Sequence, residues 1–183
     1  MTRTTERIVQ AAVDLHGTIG PAATTMSAVA DRAGVTRATL YRHFPNEEVL
    51  VATCSADWLA ANPRPDMAAW TAIVDPVERL AIALTELYGY YRATQQMRAN
   101  LLRDISVLPA AIQAGIRGFP VAVVSVLDAD WPSSSDSGIG RAIISHAVAF
   151  ETWRSLANGG LTDRDIAALM VGLVESAQSY RAP

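Results

Sequence analysis

The chain has 183 residues, half of them hydrophobic and 18% charged, with a formal net charge of −3. That length makes one to two domains with a sizeable core, and the slight acidity excludes a chain-wide basic field for nucleic acid. A single cysteine, Cys54, excludes an intramolecular disulfide and a cysteine-based zinc site.

Cys54 reads as a small buried apolar residue in a reducing compartment. The opening "MTRTTERIVQAAVDL" is charged throughout and has no apolar leader region. No uninterrupted apolar run reaches membrane-spanning length. A cytoplasmic protein with no membrane partner is expected.

Apolar residues recur at spacings of three and four along the whole chain, so every predicted element is a helix. The first covers about Thr5 to Ile19, with Ile8, Ala12, Leu15 and Ile19 on one stripe, and ends at Gly20-Pro21. The second starts after Thr24 or Thr25, turns Met26, Val29, Ala30 and Ala33 inward, and stops at Gly34. The third is Arg37 to about Phe44, capped by Thr36 and broken by Pro45. Asn46 caps a fourth that runs to about Ala61, with Glu47 and Glu48 at its positive end.

"NPRPD" (62–66) is the clearest break in composition and reads as a domain boundary. Beyond it, Asp75-Pro76 opens a helix bearing Leu80, Leu84, Leu87, Tyr88 and Tyr91. Further helices are predicted over Gln96–Leu108 and Ala110–Leu127, the latter kinked near Gly115, Gly118 and Pro120. "DADWPSSSDSG" (128–138) reads as a polar loop. Ile139–Ala157 and Asp163 to about Tyr180 close the set, separated by "NGGLT", with Thr162 and Asp165 as a cap pair. The prediction is therefore all-α, about nine helices.

The stretch "GVTRATLYRHF" (34–44) holds two arginines, a histidine and a tyrosine, and no acid. On a helical wheel Leu40 and Phe44 face the second helix. Arg37, Ala38, Tyr41 and Arg42 face outward, with Thr39 and His43 at the flank. Two short helices joined by a glycine-containing turn make a helix-turn-helix pattern, whose second helix enters the major groove of DNA. Arginine can bind guanine bidentately, and a small residue can meet the thymine methyl. A helical hairpin with an exposed arginine also occurs in any all-α protein. Charge favours DNA: residues 1–44 hold five arginines against three acids, and the rest of the chain ten against fifteen.

"IVQAAVDLHGTIGPAATTMSAVADRAGVTRATLYRHFPNEEVL" (8–50) resembles the N-terminal domain of the TetR family of bacterial transcriptional repressors. "VADRAGV" and "TLYRHF" carry most of that resemblance. It implies a three-helix DNA-binding domain (1–46) and a larger helical bundle (47–183) that binds an effector and dimerises. By position it places base contacts at Arg37, Ala38, Tyr41 and Ser27, and phosphate contacts at Thr25, Thr39, Tyr41, Arg42 and His43. Two residues depart from the family pattern. His16 stands where an aromatic is usual, and reads as a buried neutral histidine. Glu47 stands where a lysine is usual, which removes a phosphate contact and adds repulsion. "ETWRSLANGGLTDRDIAALMVGLVE" (151–175) resembles the family's last two helices.

The implied partners are an operator duplex, a second copy of the chain and a small-molecule effector, with no cofactor and no metal. The candidate pocket is Trp58, Tyr88, Tyr91, Met97, Leu101, Phe119, Phe150 and Trp153, with His146 and Arg103 as polar anchors. The candidate dimer interface is Ile143, Ala147, Arg154, Leu169, Leu173 and Ala177. Two alternatives stay open: a helix-turn-helix dimer without a ligand, and a helical protein with an enzymatic activity. Against the second, there is no HExxH, no GxSxG and no phosphate-binding glycine loop, and no catalytic residue is assigned. The glycines of "GIGRA" (138–142) and the scattered His16, His43 and His146 make no site.

Overall fold

The computed structural model describes residues 2–131 and 138–179. Among the described residues there are ten α-helices and no strand. They are α1 (Arg3–Thr18), α2 (Met26–Ala33), α3 (Arg37–His43), α4 (Glu47–Ala61), α5 (Met67–Thr71), α6 (Pro76–Arg103), α7 (Ala110–Leu127), α8 (Ile139–Val148), α9 (Phe150–Asn158) and α10 (Asp163–Ser179). Their starts are written in side chains. Thr2, Thr25, Thr36, Asn46 and Asp66 each accept a backbone N–H from the first turn of the helix that follows. At α10 the cap is reciprocal: Asp165 N donates to Thr162 Oγ1 at 3.2 Å while Asp165 Oδ2 accepts from Thr162 N.

Three elements differ from expectation. α6 is one helix of 28 residues where two were expected. No proline or second glycine interrupts it after Gly89, and it gives way at Asp104 to a 3-10 turn, Ile105–Val107, rather than continuing to Leu108. The helix expected over 139–157 is two, because Ala149 is extended (φ −66°, ψ 129°). α5 was not expected. It is too short to show a period, and it forms around Trp70, whose buried ring donates Nε1–H to Glu86 Oε2 at 2.8 Å. α7 continues through Pro120. By length and composition alone α7 could cross a membrane, contrary to the expectation from uninterrupted runs, since Arg117 and Pro120 break the run but not the average. It buries Phe119, Val123, Val124 and Leu127. Of the predicted 128–138 loop, residues 132–137 lie outside the described residues, as does the Tyr180 end of the last helix.

The chain divides into two compact units. The first is residues 1–63 with 94–115, the second 64–93 with 116–183. In the first, Ile8, Val9, Ala11, Ala12, Val29, Ala30, Ala33, Leu40, Phe44, Leu50 and Cys54 form one core. Small residues on α1 and α2 let α3 and α4 approach closely. His16 belongs to this core, and its Nδ1 lies 3.7 Å from Cys54 Sγ. Burial holds its pKa below the usual histidine value and pushes the Cys54 thiol up to about 12, so the thiol is inert.

His16 makes stability depend on pH. The unfolded chain takes up a proton near pH 6.5 that the folded chain refuses, so the unfolded state gains as pH falls. Stability is expected to drop from about pH 6.5 downward, by at most about 1.4 kcal/mol per pH unit, until the lowered folded pKa is reached. His16→Leu should flatten that slope. Urea unfolding at pH 7.0 and 5.5 checks this, and equal slopes for both proteins would count against it.

In the second unit the core runs through Leu80, Leu84, Leu87, Tyr88, Tyr91, Val123, Leu127, Ile144, Trp153 and Ile166. Arg79 is buried within it. Its guanidinium donates to the carbonyls of Ile73 and Ala129 and to Asp130 Oδ2, all at 3.0 Å, closing the C-terminal end of α7.

Candidate nucleic-acid interface

Gly34 sets the angle between α2 and α3. Its φ of 64° and ψ of 42° place it in the left-handed region, and its N–H closes the end of α2 on Ala30 and Asp31. Arg7 of α1 reaches across and donates Nη2 to the carbonyls of Ala33 and Gly34. A positive group there favours the negative end of α2 and pins the turn to α1. Nothing in the spacing of Arg7 along α1 signals that role.

Beyond the turn, α3 buries Leu40 completely and leaves Arg37, Ala38, Tyr41 and Arg42 exposed. Arg37 Cζ lies 6.0 Å from the centroid of the Tyr41 ring, so the two form one outward surface. Other candidates have local duties. Thr25 Oγ1 caps α2 by accepting from Ala28 N at 3.1 Å. Thr39 Oγ1 shares a hydrogen bond of 3.0 Å with the capping Thr36. His43 Nδ1 is 3.3 Å from Thr5 Oγ1, which orients the ring from α1.

Thr25, Ser27, Arg37 and Tyr41 meet around a groove of about 380 Å³, together with Pro21, Ala22, Thr24, Met26, Glu47 and Val107. The structure thus brings four of the candidate DNA contacts together, and places Glu47 beside them at the start of α4. Val107 comes from the 3-10 turn after α6, sixty residues further along the chain, and no sequence signal joins it to the groove.

The candidate pocket residues fall in both units. Trp58, Met97, Leu101 and Arg103 lie in the first unit. Tyr88, Tyr91, Phe119, His146, Phe150 and Trp153 lie in the second. Tyr91, Phe150 and Trp153 form one cluster, with centroids 5.4 to 5.8 Å apart, and Tyr88 joins it at 6.3 Å from Tyr91. Phe119 packs on Tyr90 and under Arg64. His146 is exposed and its Nδ1 pairs with Thr152. The cluster is tightly satisfied. Tyr88 and Tyr91 donate to the carbonyls of Ala147 and Val148 at 2.8 and 2.7 Å. Burial raises the Tyr88 pKa, so its hydroxyl stays a donor. Trp153 Nε1 donates to Asp163 Oδ1 at 2.9 Å, and Arg92 grips the same carboxylate with two bonds of 2.7 Å, holding its pKa low.

Of the candidate interface, Leu169 and Leu173 are exposed on one face of α10, one turn apart. Ile143 and Arg154 are half-buried, Ala177 is nearly buried, and Ala147 is wholly enclosed by its own chain.

Residues 8–54 match the model of a family described as bacterial regulatory proteins, tetR family. Solved structures share the fold along nearly the whole chain. A TetR-like transcriptional regulator from Rhodococcus sp. RHA1 is 18% identical, with a TM-score of 0.69 over 99% of this chain and 100% of that one. NalD, the secondary repressor of the MexAB-OprM multidrug efflux pump in Pseudomonas aeruginosa, is 18% identical, with a TM-score of 0.58 over 96% and 95%. A TetR-family transcriptional regulator from Haemophilus influenzae RD is 15% identical, with a TM-score of 0.54 over 96% and 94%. No curated protein matches the sequence. Residues 8–54 are thus similar to the DNA-binding segment that defines the tetR family of bacterial regulatory proteins, and the chain as a whole has the all-α fold of these solved regulators.

Proposed function

We propose that this cytoplasmic protein is a transcriptional repressor that binds a near-palindromic operator as a homodimer and is released by a small apolar or aromatic effector. Residues 1–46 read DNA, and residues 47–183 pair the chains and take the effector. The observation that carries the reading is the exposed Arg37–Tyr41 surface on a helix held by the left-handed Gly34 turn. NalD, which shares the fold, is a repressor. One α3 reads too few base pairs to be selective, so two are needed, about 34–36 Å apart on the duplex. Leu169 and Leu173 of α10 offer an apolar face for that pairing. The aromatic cluster around Tyr91 and Trp153 supports an effector of matching chemistry. The hydrogen bonds already closing that cluster favour a second reading, a helix-turn-helix dimer without a ligand.

Gel shifts on duplexes selected by the protein from a random pool test the proposal. Arg37→Ala is expected to cost about 1–3 kcal/mol and to relax one base pair per half-site. Arg42→Ala should weaken all duplexes alike and reduce the salt slope. Selected sites should be two-fold related, and small aromatic compounds should release them. Wild-type binding by Arg37→Ala would remove α3 as the reading helix. Selected sites without two-fold symmetry would remove the dimer.

A further inference from the structure

The end of α6 holds the turn between α1 and α2 with three side chains. Asn100 Nδ2 donates to the carbonyls of His16 and Gly17, each at 3.0 Å. Arg103 Nη2 donates to the Ile19 carbonyl at 3.0 Å. Asp104 Oδ2 accepts from Ala22 N at 3.1 Å. The three are joined to one another: Arg103 makes two bonds of 2.8 Å to Asp104 and one of 3.2 Å to Asn100 Oδ1. Gly20 sits inside the clasp at φ 92°, where an added Cβ would lie 2.0 Å from Arg103 Nη2 and 2.4 Å from Asp104 Oδ2.

The last carbonyls of a surface helix are normally left to water or a local cap. Ile19 is 44% exposed, so water could serve here. Asn100 and Arg103, from about eighty residues away, serve instead, and Asp104 takes the Ala22 N–H that follows. Their hold passes onward by hydrogen bonds. Thr24 Oγ1 donates to the Gly20 carbonyl at 2.8 Å, and Thr25 then caps α2 beside Ser27, Arg37 and Tyr41. On the other side, Val107 N donates to the Asp104 carbonyl at 3.1 Å and Val107 lines the same groove.

We propose that Asn100, Arg103 and Asp104 are positioning residues for DNA binding: they touch no DNA, and they set the start of α2 against α3 by holding residues 16–22. This rests on the DNA-binding reading above. The test is fluorescence anisotropy on the duplex that the wild-type chain selects, with Arg103→Ala and Asp104→Asn, at a temperature where circular dichroism shows each protein fully folded. The expected result is an affinity loss of about tenfold, 1.4 kcal/mol, with the slope of log affinity against log salt equal to wild type. Should Arg103→Ala fail to fold, the near-isosteric Asp104→Asn carries the comparison. A clasp that only stabilises would lower the thermal midpoint and leave the folded protein's affinity at wild type, which overturns the proposal. A slope reduced by about 0.9 would mean that a phosphate contact was removed, and overturns it too. A wild-type chain that binds no duplex overturns the DNA reading itself, and the clasp with it.

Discussion

Trp153→Ala is expected to cost about 3–5 kcal/mol of stability, the range for truncating a buried aromatic. The ring is fully buried between Tyr91 and Phe150 and lies under the Arg92 guanidinium. Its neighbours cannot collapse into the space. Tyr91 is tied to the Val148 carbonyl, and Phe150 is held at the start of α9. Asp163 keeps its two bonds to Arg92, so the loss is mainly packing and one hydrogen bond. For a chain of this size the thermal midpoint should fall by roughly 10 °C. Trp153→Phe should lose much less, because it keeps ring packing. A loss below about 1 kcal/mol for Trp153→Ala, measured by urea unfolding, would mean that the cluster yields easily and could open to a ligand.

Leu40→Ala is expected to cost about 2–5 kcal/mol and to abolish selective DNA binding near the unfolding temperature. Leu40 is the inward face of a seven-residue helix too short to persist without its packing. Ala30 and Ala33, which share its core, are too small to fill the gap. Arg37 and Tyr41 share that helix, so their geometry depends on Leu40. The contrast with Arg37→Ala is diagnostic: Leu40→Ala should lower stability and affinity together, Arg37→Ala affinity alone. Calorimetry beside gel shifts separates them, and a stable Leu40→Ala protein would refute the packing of α3 described above.

The helix-turn-helix was legible because its information is local. Thr25, Thr36 and Asn46 cap the helices they precede, Gly34 adopts the conformation only glycine takes cheaply, and Leu40 and Phe44 face inward by simple periodicity. That local information determined the all-α class, the helix-turn-helix and its outward Arg37–Tyr41 surface. What the sequence could not express was decided by partners far along the chain. The division at Ala149 has no proline or glycine to announce it. The carbonyls of Ala147 and Val148 leave the helix to accept Tyr88 and Tyr91 from α6, so the break is written in α6. The same holds for Arg7 on the end of α2, for Asn100 and Arg103 on the end of α1 and for Asp104 on the Ala22 N–H. Each satisfies a backbone group that its own neighbours leave open, and only the tertiary fold brings it within the roughly 3 Å that a hydrogen bond requires.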